Sequence, residues 1–323
     1  MRHVSILITN EAVLASIADP RIMFTGVNDF LAAAGKPPMF NVQLVGLEKE
    51  VRLHGGLFSV HTDAVIGEVK KTDLIIVPAF GGDMATAIKS NEEFIPWIID
   101  QQYKGAEVAS LCVGAFLLAA TGLLDGKEAS SHWRFAEEFR KMFPKVTLVD
   151  DSIVTEQNGL YSSGGATSYW NLLLYLVEKY AGRDMSIMAA KMFALEIDRK
   201  SQSPFIMFNG QKTHEDESIK KAQEFIEANI TEKISVEELA MKYAIGKRHF
   251  ERRFKKATNN SPLEYIQRVK IEAAKKHLES SRMNVNEVMY DVGYSDTKAF
   301  RTVFKKITGL SPVEYKNKYN KAS

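Results

Sequence analysis

The chain has 323 residues, enough for two domains of ordinary size, and its 45% hydrophobic and 25% charged composition is that of a folded protein. Its one cysteine, Cys112, excludes an internal disulfide and gives no sign of export. The net charge of +2 hides an asymmetry: residues 211–323 carry 23 Lys+Arg against 16 Asp+Glu, whereas the rest carries 19 against 24. A basic C-terminal third beside an acidic remainder suits one domain that meets a polyanion and one that does not.

The apolar run at residues 4–8, VSILI, is too short for a signal sequence and lacks a small-residue cleavage site. Residues 109–124 are too short, and too interrupted by Ser110 and Thr121, to span a membrane. A cytoplasmic protein without a membrane partner is expected. Residues 3–9 read as a buried strand. Residues 11–34 read as helical, broken near Asp19-Pro20. Residues 41–47 alternate as a second strand, and 55–60 suggest part of a third. Residues 73–79, DLIIVPA, form a continuous apolar run of the buried parallel type. They end in Phe80-Gly81-Gly82-Asp83, a loop where backbone can approach a ligand. Helices are expected over 91–103, 135–142, 167–180 and 184–195, and short strands over 107–111, 146–149 and 153–155. Residues 161–165, Tyr-Ser-Ser-Gly-Gly, read as the lead-in to a helix. Strands alternating with helices give a mostly parallel α/β sheet.

Cys112 lies between the strand at 107–111 and a helix starting at Ala115. A thiol on such a turn faces the free N–H groups and partial positive charge of a helix N-terminus. That is the logic of a nucleophile elbow. The segments C-V-G-A-F-L-L-A-A-T-G-L-L-D-G (112–126) and S-S-H-W (130–133) resemble the glutamine-amidotransferase-like α/β domain shared by PfpI-type proteases. The resemblance covers residues 4–182 and implies a flavodoxin-like sheet with helices on both faces. Those proteases have His directly after the nucleophile, where this chain has Val113. The superfamily places an acidic residue beside the thiol, and this chain has Val13 at that point, with Glu11 nearest. A thiol without a base is a weak catalyst. Catalysis is therefore not expected, and Cys112, Val113, Gly81, Gly82 and His132 are candidates for a ligand pocket. Seven histidines without ligand spacing imply no metal site, and no cofactor is expected.

Residues 199–217, RKSQSPFIMFNGQKTHEDE, turn polar and irregular, so a boundary is placed near residue 205. Domains of 1–205 and 206–323 follow. The second opens with a helix at 218–229 and then contains a repeat. HFERRFKKATNNSPLEYI, starting at His249, recurs fifty positions later within DVGYSDTKAFRTVFKKITGLSPVEYKNK. Phe250 meets Phe300, Phe254 meets Phe304, Lys255-Lys256 meets Lys305-Lys306, and Ser261-Pro262 meets Ser311-Pro312. Upstream the register slips by one, so that Val236, Glu238 and Leu239 meet Val285, Glu287 and Val288. Each copy reads as helix, turn, helix, with the phenylalanines inside. Gly293-Tyr294-Ser295 makes the second turn, and Ser295 or Asp296 caps the helix after it. Gly246 stands opposite Ser295 and offers no capping side chain.

The doubled F-x-x-x-F-K-K-x-T-x-x-S-P-x-E-Y resembles the DNA-binding domain of the AraC family of bacterial regulators, in which two helix-turn-helix units are joined by a long helix, here residues 262–280. With the PfpI-like part, the whole chain resembles the GlxA-like subgroup of that family. The resemblance implies a double-stranded DNA operator as partner. Lys247, Arg248, Glu251 and Arg252 are base-reading candidates in the first unit, and Thr297, Lys298, Arg301 and Thr302 in the second. Lys255, Lys256, Lys305 and Lys306 are expected on phosphates, which position without specifying. A homodimer held by the α/β domain, a small-molecule effector and RNA polymerase complete the expected partners. The alternatives are a cysteine-dependent amidase or hydrolase with a DNA-binding appendage, and a regulator whose α/β domain is only a dimerisation scaffold.

Overall fold

The computed structural model describes residues 1–197, 199 and 201–320. Lys200 of the expected linker and residues 321–323 of the expected DNA-binding domain lie outside this set. The chain forms two compact units, Met1–Gln202 and Ser203–Ser323. The division falls three residues before the expected one because residues from 204 onward are tied to the second unit. The Pro204 carbonyl accepts from the Tyr319 hydroxyl at 3.4 Å, and the Ile206 carbonyl accepts from Lys275 Nζ at 2.6 Å.

The first unit begins with β1 (Arg2–Ile8), α1 (Ala15–Ala33) and β2 (Phe40–Gly46). A hairpin of β3 (Glu50–Leu53) and β4 (Phe58–His61) follows, then β5 (Ala64–Val65) and β6 (Leu74–Val77). Next come α2 (Met84–Ser90), α3 (Phe94–Tyr103), β7 (Glu107–Ser110) and α4 (Ala115–Ala120). The unit continues with β8 (Glu128–Ala129), α5 (Ala136–Met142), β9 (Thr147–Leu148), β10 (Val154–Gln157) and β11 (Leu160–Ser163). It closes with α6 (Tyr169–Ala181) and α7 (Arg183–Met192).

The main sheet has the order β5-β2-β1-β6-β7-β11-β10, and every pairing is parallel except β10 with β11. Its strands β1 and β6 read as largely apolar runs because both faces are covered there. Val4, Ile6 and Ile8 of β1 join the layer holding α1, α6 and α7, while Leu7 joins the layer holding α2 to α5. That alternation is the period of two that a strand imposes.

Three expectations are corrected. Helix α1 runs unbroken through the buried Pro20, which removes one intrahelical bond near the helix start without ending it. Residues 58–61 belong to a separate two-stranded hairpin rather than to the main sheet. Leu160–Ser163 is a central strand rather than a lead-in loop. It pairs with β7 on one side and β10 on the other, and all four residues are buried.

The second unit is helical: α8 (Glu217–Ala228), α9 (Val236–Lys242), α10 (Lys247–Thr258), α11 (Pro262–Ser280), α12 (Val285–Asp291), α13 (Thr297–Thr308) and α14 (Pro312–Tyr319). Local chemistry sets these boundaries. Ser235/Glu238, Ser261/Glu264, Asn284/Glu287 and Ser311/Glu314 form reciprocal capping boxes. Each such box stabilises its helix by about 1 kcal/mol. Two small cores result. One gathers α8, α9 and α10 around Phe250 and Phe254, and the other gathers α12, α13 and α14 around Phe300 and Phe304. All four rings are fully buried, each worth about 1.5–3 kcal/mol of apolar transfer.

Candidate nucleic-acid interface and cysteine elbow

The two repeats correspond element for element. In each, the second helix of the pair buries its phenylalanines and then a threonine, Thr258 or Thr308. Each threonine hydroxyl donates to the phenylalanine carbonyl four residues back and accepts the N–H two residues on. Each helix then ends on a left-handed residue, Asn259 (φ 55°) or Gly309 (φ 74°). The one-residue slip lies in the turn. Tyr243 to Lys247 corresponds to Val292 to Thr297, so the second turn is longer by one. Asp296 is the cap, accepting from Ala299 N at 2.6 Å, and Gly246, its counterpart, offers no side chain. Ser295, the other capping candidate, sits within the turn.

This geometry pairs Arg248 with Lys298, Glu251 with Arg301, and Arg252 with Thr302 at equivalent helical positions. Arg248, Arg252, Lys255, Lys256, Thr297, Lys298, Arg301, Thr302, Lys305 and Lys306 are exposed, and Glu251 is half-buried. Lys247 is exposed but held by Glu237 of α9, which compensates its charge. Arg253 was not singled out from sequence. It makes a two-pronged bond to Asp216, at 2.9 and 2.6 Å, and this holds the Asp216 carboxyl below the usual range. Asp216 also caps α8, so the pair braces α10 against the start of that helix.

In the first unit, Cys112 sits at the C-terminal end of β7 in a left-handed conformation, φ 56°. A residue with a side chain accepts that conformation at a cost, and such strain is a feature of functional turns. Gly114 allows the elbow to approach β6: a Cβ there would lie 2.5 Å from the Pro78 carbonyl oxygen. Cys112 and Val113 are both buried. Burial pushes the thiol pKa up, against opposing bonds from the backbone N–H groups of Ala166 and Val113. Cys112 N donates to Ser163 Oγ at 3.1 Å, and Ser131 Oγ donates to the Cys112 carbonyl at 3.2 Å.

His132 packs its ring on Gly165, where a Cβ would come within 2.6 Å of it. Its Nδ1 accepts from Arg134 N at 3.1 Å, and burial with the Arg134 charge lowers its pKa, so the ring is neutral near pH 7. Among the described residues it forms no bond to the thiol; Gly165-Ala166 stands as the link between them. Gly81 and Gly82 follow the neighbouring strand β6, and Gly81 N donates to the Glu11 carbonyl at 2.9 Å. Val13, where the superfamily's acid was expected, is partly exposed and brings no carboxylate.

Sequence reasoning missed the residues that complete the elbow. Burial and a bond to Asp19 Oδ2 at 2.6 Å raise the pKa of the Tyr169 phenol, which lies close enough to Cys112 for a thiolate there to raise it further. Gln202, buried at 1% exposure, donates to the carbonyls of Ser131 at 3.0 Å and Asp150 at 2.8 Å, and accepts from Gly165 N at 2.9 Å. Its single sequence signal was its place in an irregular, boundary-like stretch.

Comparison with known proteins agrees with both units. Residues 239–318 match the helix-turn-helix domain family, and residues 25–179 match the DJ-1/PfpI family. The HTH-type transcriptional regulator GbdR of Pseudomonas aeruginosa is 27% identical over 298 residues, covering 87% of this chain and 79% of its own. An isonitrile hydratase of Pseudomonas putida is 30% identical over 135 residues, covering 41% of this chain and 54% of its own. A crystal structure of a putative transcriptional regulator from Vibrio parahaemolyticus aligns with a TM-score of 0.53 and 23% identity, over 59% of this chain and 98% of that one. The class these matches define is a DJ-1/PfpI α/β domain followed by a double helix-turn-helix domain. This chain joins an AraC-type helix-turn-helix domain to a DJ-1/PfpI domain, the arrangement it shares with the regulators it matches.

Proposed function

We propose that the protein is a sequence-specific DNA-binding transcriptional regulator that reads its operator with α10 and α13. The observation that carries this reading is the repeated helix pair on one scaffold, each with an exposed basic face and a fully buried phenylalanine face. A helix-turn-helix inserts its second helix in the major groove, and residues near its start meet base edges. Arg248, Glu251 and Arg252, with Thr297, Lys298, Arg301 and Thr302, then read bases. Lys255, Lys256, Lys305 and Lys306, further along each helix, meet phosphates. Lys247, being paired with Glu237, contributes less than its neighbours.

The α/β unit is proposed to bind a small effector beside the Cys112 elbow, near Val113, Gly81, Gly82 and His132, and to pair with a second copy. RNA polymerase is a further partner of this reading. The left-handed Cys112 favours a second reading, thiol catalysis, which the hydratase relative keeps in view. Its chemistry argues otherwise: burial raises the thiol pKa, and the groups bonded to it are backbone N–H donors rather than a base.

Footprinting with the full chain, on duplexes it selects from a random pool, tests the main reading. Protection of two adjacent major-groove elements, about 34 Å apart, is expected. Absence of binding at low salt would refute it. Sedimentation of the full chain tests pairing, and a monomer at micromolar concentration would refute that part.

A further inference from the structure

Helix α11 runs through both cores of the C-terminal unit. It gives Tyr265 and Ile266 to the first, and Ile271, Ala274 and Leu278 to the second. Lys270 lies between those two sets and is 6% exposed. Its ammonium donates to the carbonyl of Glu232, ahead of α9, at 2.8 Å. It also reaches the carbonyl of Gly293, in the turn between α12 and α13, at 3.4 Å. The Tyr294 ring lies 5.7 Å from it. No carboxylate among the described residues pairs with it, and burial holds its pKa below the ordinary lysine value.

Gly293 lies against the first repeat so closely that a Cβ would overlap the Thr231 carbonyl. The turn itself does not demand glycine. Ala244 holds the equivalent place in the first repeat at φ 52°, against 73° for Gly293. The glycine therefore answers the approach of the other repeat. Two repeats thus meet at a seam closed by one buried cation with a carbonyl from each side. An unpaired buried charge costs stability. What it supplies is direction: an apolar seam of this size would permit several arrangements, whereas two carbonyls on one ammonium permit one.

We propose that Lys270 is a positioning residue that fixes the spacing and rotation between α10 and α13, and so sets the separation of base elements that this protein accepts. This rests on the reading of those two helices as the DNA-reading ones. It predicts that operator spacing, rather than base preference at either element, depends on a side chain that meets no DNA.

The test uses the full chain and a duplex selected from random sequence, with one base pair inserted or deleted between the two protected elements. Wild type should lose about tenfold or more in affinity for either altered spacing. Lys270→Met should lose affinity for the original duplex and discriminate the three spacings by less than about threefold. Its base preference within each element should stay as in wild type. Should Lys270→Met not fold, Gly293→Ala decides, because it opens the same seam with a residue that the equivalent turn accepts. Wild-type spacing profiles in the folded variants overturn the proposal. So does a wild type that binds all three spacings equally. A wild-type footprint confined to one element identifies instead a failure of the two-helix reading, and the proposal falls with it.

Discussion

Replacing Lys256 and Lys306 together by alanine should flatten the salt dependence of DNA binding without altering sequence preference. Helices α10 and α13 expose eight cations with no ion pair among the described residues: Arg248, Arg252, Lys255, Lys256, Lys298, Arg301, Lys305 and Lys306. Lys247 and Arg253 are excluded because Glu237 and Asp216 already compensate them. If only the four late lysines meet phosphates, log affinity should fall with log salt at a slope of about −4; if all eight do, about −7. Between about 50 and 200 mM salt that is a loss of roughly 10² to 10⁴ in affinity. The double substitution should reduce the slope by about 2. It should weaken a scrambled duplex as much as a selected one, because phosphates carry no sequence information. Fluorescence anisotropy at four salt concentrations, with both duplexes, measures all of this. An unchanged slope, or a loss confined to the selected duplex, would show that these lysines do not meet phosphates.

Arg248→Ala or Arg301→Ala should cost about 1–3 kcal/mol on the selected duplex and relax preference at a few base pairs; a uniform loss on all duplexes would assign them to the backbone instead. Gly114→Ala should destabilise the α/β unit by about 1–3 kcal/mol, because its Cβ would meet the Pro78 carbonyl at 2.5 Å. An unchanged melting profile in calorimetry contradicts that. The Cys112 thiol should react slowly with iodoacetamide at pH 7 and rapidly once urea unfolds the chain, since burial raises its pKa; fast reaction in the native protein would favour the nucleophile. His132 has a folded pKa below its usual value, so the unfolded chain takes up the proton first. Its contribution to stability is full above about pH 6.5 and is lost as pH falls through the lowered folded value. His132→Gln should shrink the drop in urea midpoint between pH 7.5 and 5.5, and an equal drop in the variant would place the effect elsewhere.

What could be read from sequence follows the range of the interactions. Helix α11 was expected over 262–280 and spans Pro262–Ser280, because its start is a Ser-Pro-x-Glu box whose parts lie within four residues. The buried faces of α10 and α13 were legible for the same reason, as phenylalanines at helical spacing. The Cys112 elbow was visible as a strand meeting a helix, but its surroundings were not. Ser163 lies 51 residues away and Ser131 lies 19 away, and no local pattern joins them to the thiol. Leu160–Ser163 looked like a loop because its serines are polar; as a strand, Ser162 and Ser163 spend their hydroxyls on Ser130 N and Cys112 N. Pro20 misled by a rule sound for helix interiors, where the protein instead gives up one bond near a helix start.

Gln202 has a practical consequence for anyone who would study the α/β unit alone. It is the last residue of that unit, and an uncharged residue in a polar stretch invites cutting just before it. Ending a fragment at Ser201 would take away the amide that serves Gly165 N and the carbonyls of Ser131 and Asp150. Each buried group left without a partner costs about 1–3 kcal/mol. The damage would fall on the loop that carries Ala166, whose N–H steadies the thiol. A fragment one residue too short would therefore fold poorly around Cys112 and give a false negative in any ligand screen, while one that ends after Gln202 keeps the elbow closed.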